Sequence, residues 1–415
     1  MSGRKYDLVV FGASGFTGAL TCEYLVEVGD KTLKWAIAGR SLSKLEKVKE
    51  SLVKMDESAK ELDILIADSS NPESLDSVVR DTRVVISTVG PFIKYGTPLV
   101  EACMRQKTHY VDITGEYAWI KQIIDRFHEE AKQNHVLIVP ACGFDSVPSD
   151  LGTFMVAQYM KSKHKLHVAD VKLSVTDARG GVSGGTIQSA LGAMAGRSIS
   201  LKRSLDPYLL ASQKGIDKSS FPMMRRDHDF GRGKWQAFFI MSIVNEKVVR
   251  RSWSLAAERG ESYGRLFRYK ETMSMSFIPA FLLTAALLTV IPLASILFKI
   301  PLFYRLAQKC LPGSGAGPTR EQRAKGRFEM QIVANAEAEP YDEPVRVRGT
   351  VKGFRDPGYG DTCRMVAESA LSIVKSLDQL PGKEGGVLTP ATAFGDVLLQ
   401  RLRKDGGMVF EVQDI

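Results

Sequence analysis

A buried strand that leads through three spaced glycines into a helix constrains this chain more than any other feature. Asp7–Phe11 is a short apolar run, and Gly12, Gly15 and Gly18 follow it before an apolar-periodic stretch. In a dinucleotide-binding fold such glycines permit the tight turn, the close approach of a pyrophosphate and the packing of helix on strand. We expect Gly15 to need either a positive φ or that close approach. The predicted pyrophosphate contacts, on the positive end of the helix dipole, are Gly12, Ser14, Gly15, Phe16, Thr17 and Gly18.

The second predicted strand ends in a basic residue where NAD-binding proteins usually carry a carboxylate. Lys34–Ala38 has the pattern of a strand, and Arg40 follows it with only Gly39 between them. A guanidinium can bond a 2′-phosphate at two points, so Arg40 favours NADP over NAD. Ser43 and Glu46 have the spacing of a capping box, which places Lys44 near the same phosphate. The predicted cofactor is therefore NADP.

Strand and helix patterns continue to alternate up to residue 140. Further strands are predicted at 62–67, 83–87, 109–113 and 136–140. Asp68, at the end of the third strand, is a candidate acceptor for the adenine amino group. In the usual order 3-2-1-4-5-6, the fourth strand lies beside the first, where the ligand crevice opens. We therefore expect Thr88, Gly90 and Pro91 to line the ribose and nicotinamide half of the cofactor, in an α/β Rossmann domain with a doubly wound parallel sheet over 1–150.

These motifs, with several later ones, make the sequence similar to a known family. It resembles the saccharopine dehydrogenase-like oxidoreductases, which include the trans-acting enoyl reductases. The resemblance covers nearly the whole chain and depends on Gly12–Gly18, Ala38–Arg40, Thr88–Phe92, Tyr110–Glu116, Cys142–Asp150, Ser183–Thr186 and Glu368–Leu371. It implies an NADP-linked reductase or dehydrogenase with a second α/β domain after the Rossmann unit. The resemblance specifies the cofactor more closely than it specifies the reaction that the protein catalyses.

The residues after 150 predict a second domain of different architecture. Alternating patterns at 169–176, 234–244, 327–334 and 344–352 indicate a mostly antiparallel sheet. We expect this α+β domain to cover 151–355, and a C-terminal helical region, 356–415, to pack back on the Rossmann domain. Ser183–Thr186 precedes an apolar helical stretch. Its N–H groups suit either a substrate carboxylate or carbonyl, or simple capping of that helix.

Residues able to move a proton follow the fifth and sixth predicted strands. Hydride transfer needs placement, exclusion of water and at most a proton donor from the protein. The candidates are Asp112, Glu116, Tyr117, Cys142, Asp145 and Asp150. A carboxyl group in an apolar crevice is protonated near neutral pH and can act as an acid. Tyr117 and Asp145 are kept as candidate catalytic residues, although helix capping is the favoured role of Asp145 and Asp150. The histidine and cysteine spacings predict no metal site.

An uncharged segment from Thr272 to Phe298 does not suit an ordinary enzyme surface. It is long enough to span a bilayer, but Pro279 and Pro292 interrupt it. We favour a bent, in-plane insertion into a membrane or lipid-droplet surface, because basic residues over 299–327 suit anionic headgroups. Family relatives that associate with lipid droplets favour the same interpretation. A buried helix pair, at a homodimer interface, is the alternative, and a single span is least favoured.

Composition and charge limit the expected binding partners and the expected cellular location. The net charge of +9 suits anionic cofactors and lipid surfaces, while no nucleic-acid-binding module is found, so nucleic acid is not an expected partner. Five scattered cysteines fit a reducing compartment. Because the first strand begins near Tyr6, no signal or transit peptide is expected. The expected location is the cytoplasmic face of a membrane or lipid droplet.

The predicted function is NADPH-dependent reduction of a double bond in an apolar, lipid-like substrate. A saccharopine-type amino-acid dehydrogenase is the alternative within the same class, although its substrate would need convergent arginines. A non-catalytic NADPH-binding protein of lipid droplets is the alternative outside it, because no decisive catalytic residue is evident.

Overall fold

The chain forms two compact units, each built around one sheet. The computed structural model describes residues 3–180, 201–218, 223–297, 317, 319–338, 343 and 345–415. The first unit comprises Met1–Val147 and Gly358–Gly406, and the second comprises Pro148–Pro357 and Gly407–Ile415. The chain therefore leaves the first unit after Val147, returns to it at Gly358 and leaves it again after Gly406.

A parallel sheet of seven strands forms the centre of the first unit. Its strands are β1 (Tyr6–Phe11), β2 (Trp35–Gly39), β3 (Asp63–Ile66), β4 (Thr82–Ser87), β5 (His109–Asp112), β6 (Leu137–Val139) and β13 (Gly386–Val387). Their order is β13-β6-β5-β4-β1-β2-β3, so the predicted Rossmann order is confirmed and β13 extends it beyond β6. Leu8, Val9 and Val10 of β1 are fully buried. A strand covered on both faces is continuously apolar for this reason.

The helices of the first unit alternate with these strands. They are α1 (Phe16–Val28), α2 (Leu42–Val53), α3 (Pro72–Arg80), α4 (Phe92–Gln106), α5 (Tyr117–Gln133), α11 (Thr362–Ser376) and α12 (Pro390–Arg403), with 3-10 turns at Glu57–Glu61, Leu377–Gln379 and Lys404–Gly406 and a π-helical turn at Pro357–Asp361. The predicted capping box at Ser43 is not formed. Helix α2 already begins at Leu42, with Ser41 as its N-cap and no side-chain cap bond.

The second unit contains a mostly antiparallel sheet. Its strands are β7 (Val168–Arg179), β8 (Arg225–Arg226), β9 (Trp235–Ala237), β10 (Arg268–Met275), β11 (Arg327–Ala336), β12 (Arg346–Gly353) and β14 (Val409–Asp414). The order is β14-β12-β11-β7-β10-β9-β8, and among the described strands of this second sheet only β7 and β10 pair in parallel. The predicted strand at 234–244 is only partly right, because a helix begins at Ser242. The last residues, predicted to be helical, form β14 and pair with β12.

The second unit also contains helices. They are α6 (Val147–Tyr159) with a π-helical turn at Met160–His164, α7 (Leu201–Ser204), a 3-10 turn at His228–Phe230, α8 (Ser242–Glu258), α9 (Phe277–Leu297) and α10 (Arg320–Ala324). Two glycines let α6 approach closely. A Cβ at Gly152 would lie 2.5 Å from Ile332 Cδ1, and one at Gly349 would lie 2.7 Å from Val156 Cγ1.

The uncharged segment 272–298 is not one structural element. Thr272–Met275 belongs to β10, where the Thr272 hydroxyl donates to Gln236 Oε1 at 2.8 Å, and the helix begins only at Phe277. No helix within the described ranges is both long and apolar enough to cross a membrane. Ser183–Thr186, Phe298 and the basic residues from 299 to 316 lie outside the described residues.

Candidate cofactor-binding site

The turn after β1 has no room for side chains at two of its three glycines. Gly12 has φ +88°, and a Cβ there would lie 2.5 Å from Val89 Cγ2. A Cβ at Gly18 would lie 2.2 Å from the carbonyl oxygen of Gly12. Contacts this short force the backbone to move, so the protein itself requires glycine at both positions.

Gly15 differs from the other two glycines. The expectation that it needs a positive φ is wrong. Its backbone is extended, with φ −79° and ψ 165°, so no left-handed conformation is needed. A Cβ would lie 3.2 Å from Gly12 O, which is tight but not prohibitive. Gly15 is exposed and is the N-cap of α1, which has no side-chain cap. The remaining reason for glycine is the close approach of a ligand to an open helix N-terminus. Ser14 Oγ lies nearby, 3.7 Å from a Cβ position at Gly39.

Thr88 supports the glycine turn from the neighbouring strand. Its hydroxyl donates to the carbonyl oxygens of Phe11 and Gly12 at 3.2 and 3.3 Å, and its N–H donates to Phe11 O at 3.0 Å. A Cβ at Gly90 would make only ordinary contact with Phe92, at 3.7 Å. Thr88 therefore positions the turn, whereas the cofactor contact of Gly90 stays a prediction.

Two cations lie at the carboxyl end of β2. Arg40, which follows β2, and Lys44, in the first turn of α2, both have exposed side chains. Asp68 follows the neighbouring strand β3 and accepts from the N–H and hydroxyl of Ser70 at 2.8 and 2.7 Å. These bonds lower the pKa of Asp68, and the positive charge of Arg40 contributes. Arg40 and Asp68 are thus neighbours, with the guanidinium accessible to a phosphate.

The Glu116 carboxylate stabilises the start of α4. Its role in this structure is structural and not catalytic. Its two carboxylate oxygens accept from the backbone N–H groups of Phe92 and Ile93 at 2.8 and 2.9 Å. Pro91, joined to Gly90 by a cis peptide bond, is the N-cap of this helix and has no side-chain cap of its own. The carboxylate therefore satisfies two of the open helix donors. Tyr117, the first residue of α5, is half-buried beside it.

Asp112 joins the loops that follow β5 and β6. Its buried carboxylate accepts from Thr114 N–H at 2.9 Å, Ala141 N–H at 3.0 Å and the Tyr110 hydroxyl at 2.8 Å. Burial raises the pKa of Asp112 to about 7 against the opposing effect of these donors. Cys142 is also buried, and its thiol donates to Val139 O at 3.3 Å. Both residues are structural in this arrangement.

The two acids after β6 differ from each other. Asp150 lies in the first turn of α6 and accepts a short hydrogen bond from the Ser252 hydroxyl within the second unit. Asp145 lies before α6, is half-buried, and has a pKa raised to about 6 by burial. Capping by Asp145, the favoured role from the sequence, has no hydrogen bond to support it within the described part of the chain.

Sequence reasoning missed a contribution from the far end of the chain. Tyr359 packs edge-on against Phe16 of the glycine turn, with ring centroids 5.1 Å apart. The thiol of Cys363 donates to the carbonyl of Thr17 at 3.5 Å. The sequence predicted that the region 356–415 packs back on the Rossmann domain, but it named neither of these residues. The glycine turn is therefore supported by Tyr359 and Cys363 as well as by Thr88, the residue after β4.

The residues at this edge fit a dinucleotide with a 2′-phosphate. The exposed Gly15 and the uncapped first turn of α1 suit the pyrophosphate, and the cations after β2 suit the additional phosphate. Fold and site together define an NADP-dependent oxidoreductase of the Rossmann class.

Comparison with known proteins extends this conclusion. Residues 8–139 match the family described as saccharopine dehydrogenase NADP binding domain. A Mycobacterium tuberculosis protein provisionally named trans-acting enoyl reductase is 35% identical over 97% of this chain and 96% of its own. The trans-acting enoyl reductase of Mycobacterium leprae is 33% identical over 98% and 97%. This chain therefore belongs to the saccharopine dehydrogenase-like oxidoreductase family.

A solved structure shows the same fold. The apo saccharopine dehydrogenase (L-Glu forming) of Saccharomyces cerevisiae superposes with a TM-score of 0.56 and 12% identity, covering 99% of this chain and 100% of that one. At this identity the likeness concerns the two-domain α/β architecture alone.

Proposed function

We propose that this oxidoreductase uses NADPH to reduce a carbon–carbon double bond in an apolar, lipid-like substrate. The observation that carries the proposal is the extent of the similarity. The relatives named trans-acting enoyl reductase match at 33% and 35% identity over nearly the whole chain, so the likeness includes the second unit as well as the cofactor domain. Function in such enzymes depends on residues outside the shared dinucleotide fold.

The residues of the first unit have separate tasks in this proposal. Arg40 and Lys44 bind the 2′-phosphate, and the first turn of α1 binds the pyrophosphate through its N–H groups. Thr88 and Glu116 fix the backbone on which the nicotinamide half rests. When bound, NADPH supplies the hydride for the reduction.

The experiment measures consumption of NADPH by the purified protein with trans-2-enoyl thioesters of increasing acyl length. We expect oxidation that strengthens with chain length, and none with the matching saturated thioester. Mass spectrometry should find the saturated product, carrying one deuterium when the transferable hydrogen of NADPH is deuterated. Arg40→Ala should weaken the reaction with NADPH but not the weak reaction with NADH.

Other outcomes would decide between the remaining functions. Oxidation only in the presence of an amino acid and a 2-oxo acid, which form an imine, would replace the proposal by a saccharopine-type dehydrogenase. Tight NADPH binding without oxidation by any of these substrates would favour the non-catalytic alternative.

We also propose that helix α9 attaches the enzyme to the cytoplasmic surface of a membrane or lipid droplet. Phe277, Ile278, Phe281 and Leu282, here called the apolar face of α9, are between 51% and 68% exposed. Such a patch is unfavourable in water and is typical of an interaction surface.

Aromatic and basic residues beside this face support a lipid partner. Trp235 packs against Phe277 with ring centroids 5.3 Å apart, and the Arg226 guanidinium lies 5.0 Å from the Trp235 ring centroid. Aromatic rings and cations are favoured at the level of lipid headgroups. Pairing of the same face in a homodimer is the competing arrangement.

A further inference from the structure

Asp145 lies in a loop whose backbone is fixed on both sides of it. The loop joins β6 to α6 at the carboxyl end of the parallel sheet, the edge at which this fold binds its ligands. Before Asp145, the N–H of Phe144 donates to Thr362 Oγ1 at 3.0 Å. After it, the N–H of Val147 donates to the carbonyl of Gly143 at 2.9 Å. The backbone that carries the Asp145 side chain is therefore held at a defined position before any ligand binds, as the support of a catalytic group must be.

The carboxyl group itself has no partner in the described part of the chain. No hydrogen bond or ion pair of Asp145 is found there, and burial alone raises its pKa to about 6. No charged side chain of the described residues contributes to that change. Its neighbours Phe144 and Ser146 are buried, whereas Asp145 is half-exposed. A carboxyl group taken partly out of water without a donor is unfavourable for the fold, which argues against a purely structural role.

Two other acids with raised pKa values show what a structural role looks like. Asp112 and Glu271 each have a pKa raised by burial to about 7. Asp112 accepts three hydrogen bonds, and so does Glu271, from Ser149, Asn245 and the Tyr269 hydroxyl. Both are fully buried. Asp145 shares the raised pKa but keeps its hydrogen-bonding capacity for a ligand.

We propose that Asp145 is the catalytic residue that donates the proton in this reduction, an assignment that rests on the proposed function. Reduction of an enoyl thioester adds a hydride, with its electron pair, to the β-carbon and leaves the former π pair on the α-carbon and carbonyl. The O–H bond of the Asp145 carboxylic acid then breaks. Its proton forms a C–H bond with the α-carbon, and the carboxylate keeps the electron pair. A proton from water restores the acid, so one hydride and one proton are added in total.

The pH dependence follows from the acid being the active form. Turnover should fall as the pH rises through the pKa of Asp145, about 6, because the carboxylate has no proton to donate. The 2′-phosphate of NADPH also titrates at about pH 6, so NADPH affinity should change with pH in the same way in the wild type and in Asp145→Asn.

The test compares Asp145→Asn with Asp125→Asn, an exposed carboxyl of α5 whose only described ion pair is with Lys121. Asp145→Asn should lower turnover with an enoyl thioester by about 10²-fold or more, the range of general acid catalysis. NADPH affinity, measured by nicotinamide fluorescence, should stay within about twofold, and Asp125→Asn should change neither quantity. Asp145→Glu should restore part of the turnover. In carbon-13 NMR of the aspartate carboxyls, a titration near pH 6 should be present in the wild type and missing in Asp145→Asn.

Two results would overturn the assignment, and they are distinguishable. If the wild type reduces the thioester and Asp145→Asn does so equally well, with the same loss of turnover at higher pH, Asp145 is not the donor. A wild type that reduces no thioester overturns the proposed function and the assignment with it.

Discussion

The carboxylate of Glu116 accepts the backbone N–H of Phe92 at 2.8 Å, and its second oxygen accepts the next N–H of the same helix. The loop after β5 thereby fixes the start of α4, where the segment Thr88–Pro91 ends. A residue that the sequence offered as a chemical group is in this way part of the support for the cofactor site.

Glu116→Ala should therefore weaken both the fold and the cofactor site. It leaves two helix donors without their charged acceptor, which costs about 1–3 kcal/mol in the free energy of unfolding. Urea unfolding measures this loss, and NADPH affinity should fall as well. Glu129→Ala removes an exposed carboxylate of α5, 79% exposed in its side chain, and should leave both unchanged. Equal stability of the two variants would show that the contact contributes nothing.

Arg40 should determine the preference for NADPH. Arg40→Ala removes a charge-assisted contact to the 2′-phosphate, so NADPH affinity should fall by about 1–3 kcal/mol, or roughly 5- to 150-fold. NADH affinity should hardly change, because NADH has no such phosphate. Fluorescence titration measures both constants, and Arg80→Ala, an exposed arginine in the last turn of α3, is the matched control. Equal affinity of the wild type for the two cofactors would contradict the assignment.

Two glycines of the turn, Gly15 and Gly18, should respond differently to alanine. Gly18→Ala places a Cβ 2.2 Å from Gly12 O and should lower the free energy of unfolding by about 1–3 kcal/mol. Gly15→Ala meets only a contact of 3.2 Å and should keep the fold while weakening NADPH binding. Thermal unfolding and fluorescence titration of both variants check this. A Gly15→Ala variant that binds NADPH normally would remove the ligand-based reason for this glycine.

Glu271 should make the second unit less stable at higher pH. Its pKa rises from 4.5 to about 7 on folding, so the folded state holds the proton more tightly than the unfolded state. Stability from this group is complete below pH 4.5 and is lost as the pH rises through about 7.

Glu271→Gln should consequently stabilise the protein at pH 8 by about 1–3 kcal/mol and change little at pH 4.5. The hydroxyls of Ser149 and Tyr269 can reverse their direction to serve the amide. Urea unfolding at the two pH values measures the difference. Glu329→Gln, at a half-exposed glutamate, is the control. If Glu271→Gln were less stable than the wild type at pH 8, the fold would prefer the carboxylate at this position.

The apolar face of α9 should bind lipid directly. Replacing Phe277 and Phe281, which are 51% and 54% exposed, by serine should reduce flotation with anionic vesicles and with triacylglycerol droplets, while NADPH binding persists. Replacement of both by leucine preserves apolar area and should retain flotation. Protein that stays with the aqueous phase, or that forms dimers lost in the serine variant, would favour the buried-interface alternative.

The sequence by itself determined the cofactor domain. Its signals are local: an apolar run, glycines at fixed spacing and Arg40 two residues after Ala38 all lie within a few positions of the elements that they define. Parallel strands covered on both faces are continuously apolar, so each could be recognised without its neighbours. The order of the six N-terminal strands followed from the same pattern.

Only the tertiary structure decided which side chains of this domain are structural. Asp112, Glu116 and Asp145 look alike in the sequence as acids that follow strands. Asp112 accepts from Ala141 of another loop and Glu116 accepts from the start of α4, whereas Asp145 has no hydrogen bond in the described part of the chain. Glu368 shows the same dependence on distant residues, since it accepts from Tyr24 and Arg401, more than 30 positions away on either side. Tyr359 reaches the glycine turn from the other end of the chain.

The second unit was the hardest to predict, for a related reason. Short strands such as β9, and β14 at the C-terminus, have little pattern of their own and are stabilised by pairing with strands distant in sequence. Thr272–Met275 carries no charge and looked continuous with the apolar helix, yet pairing with β7 and β9 makes it a strand. Local composition indicates how apolar a segment is. The strands and helices that bury the segment are determined only by the tertiary structure.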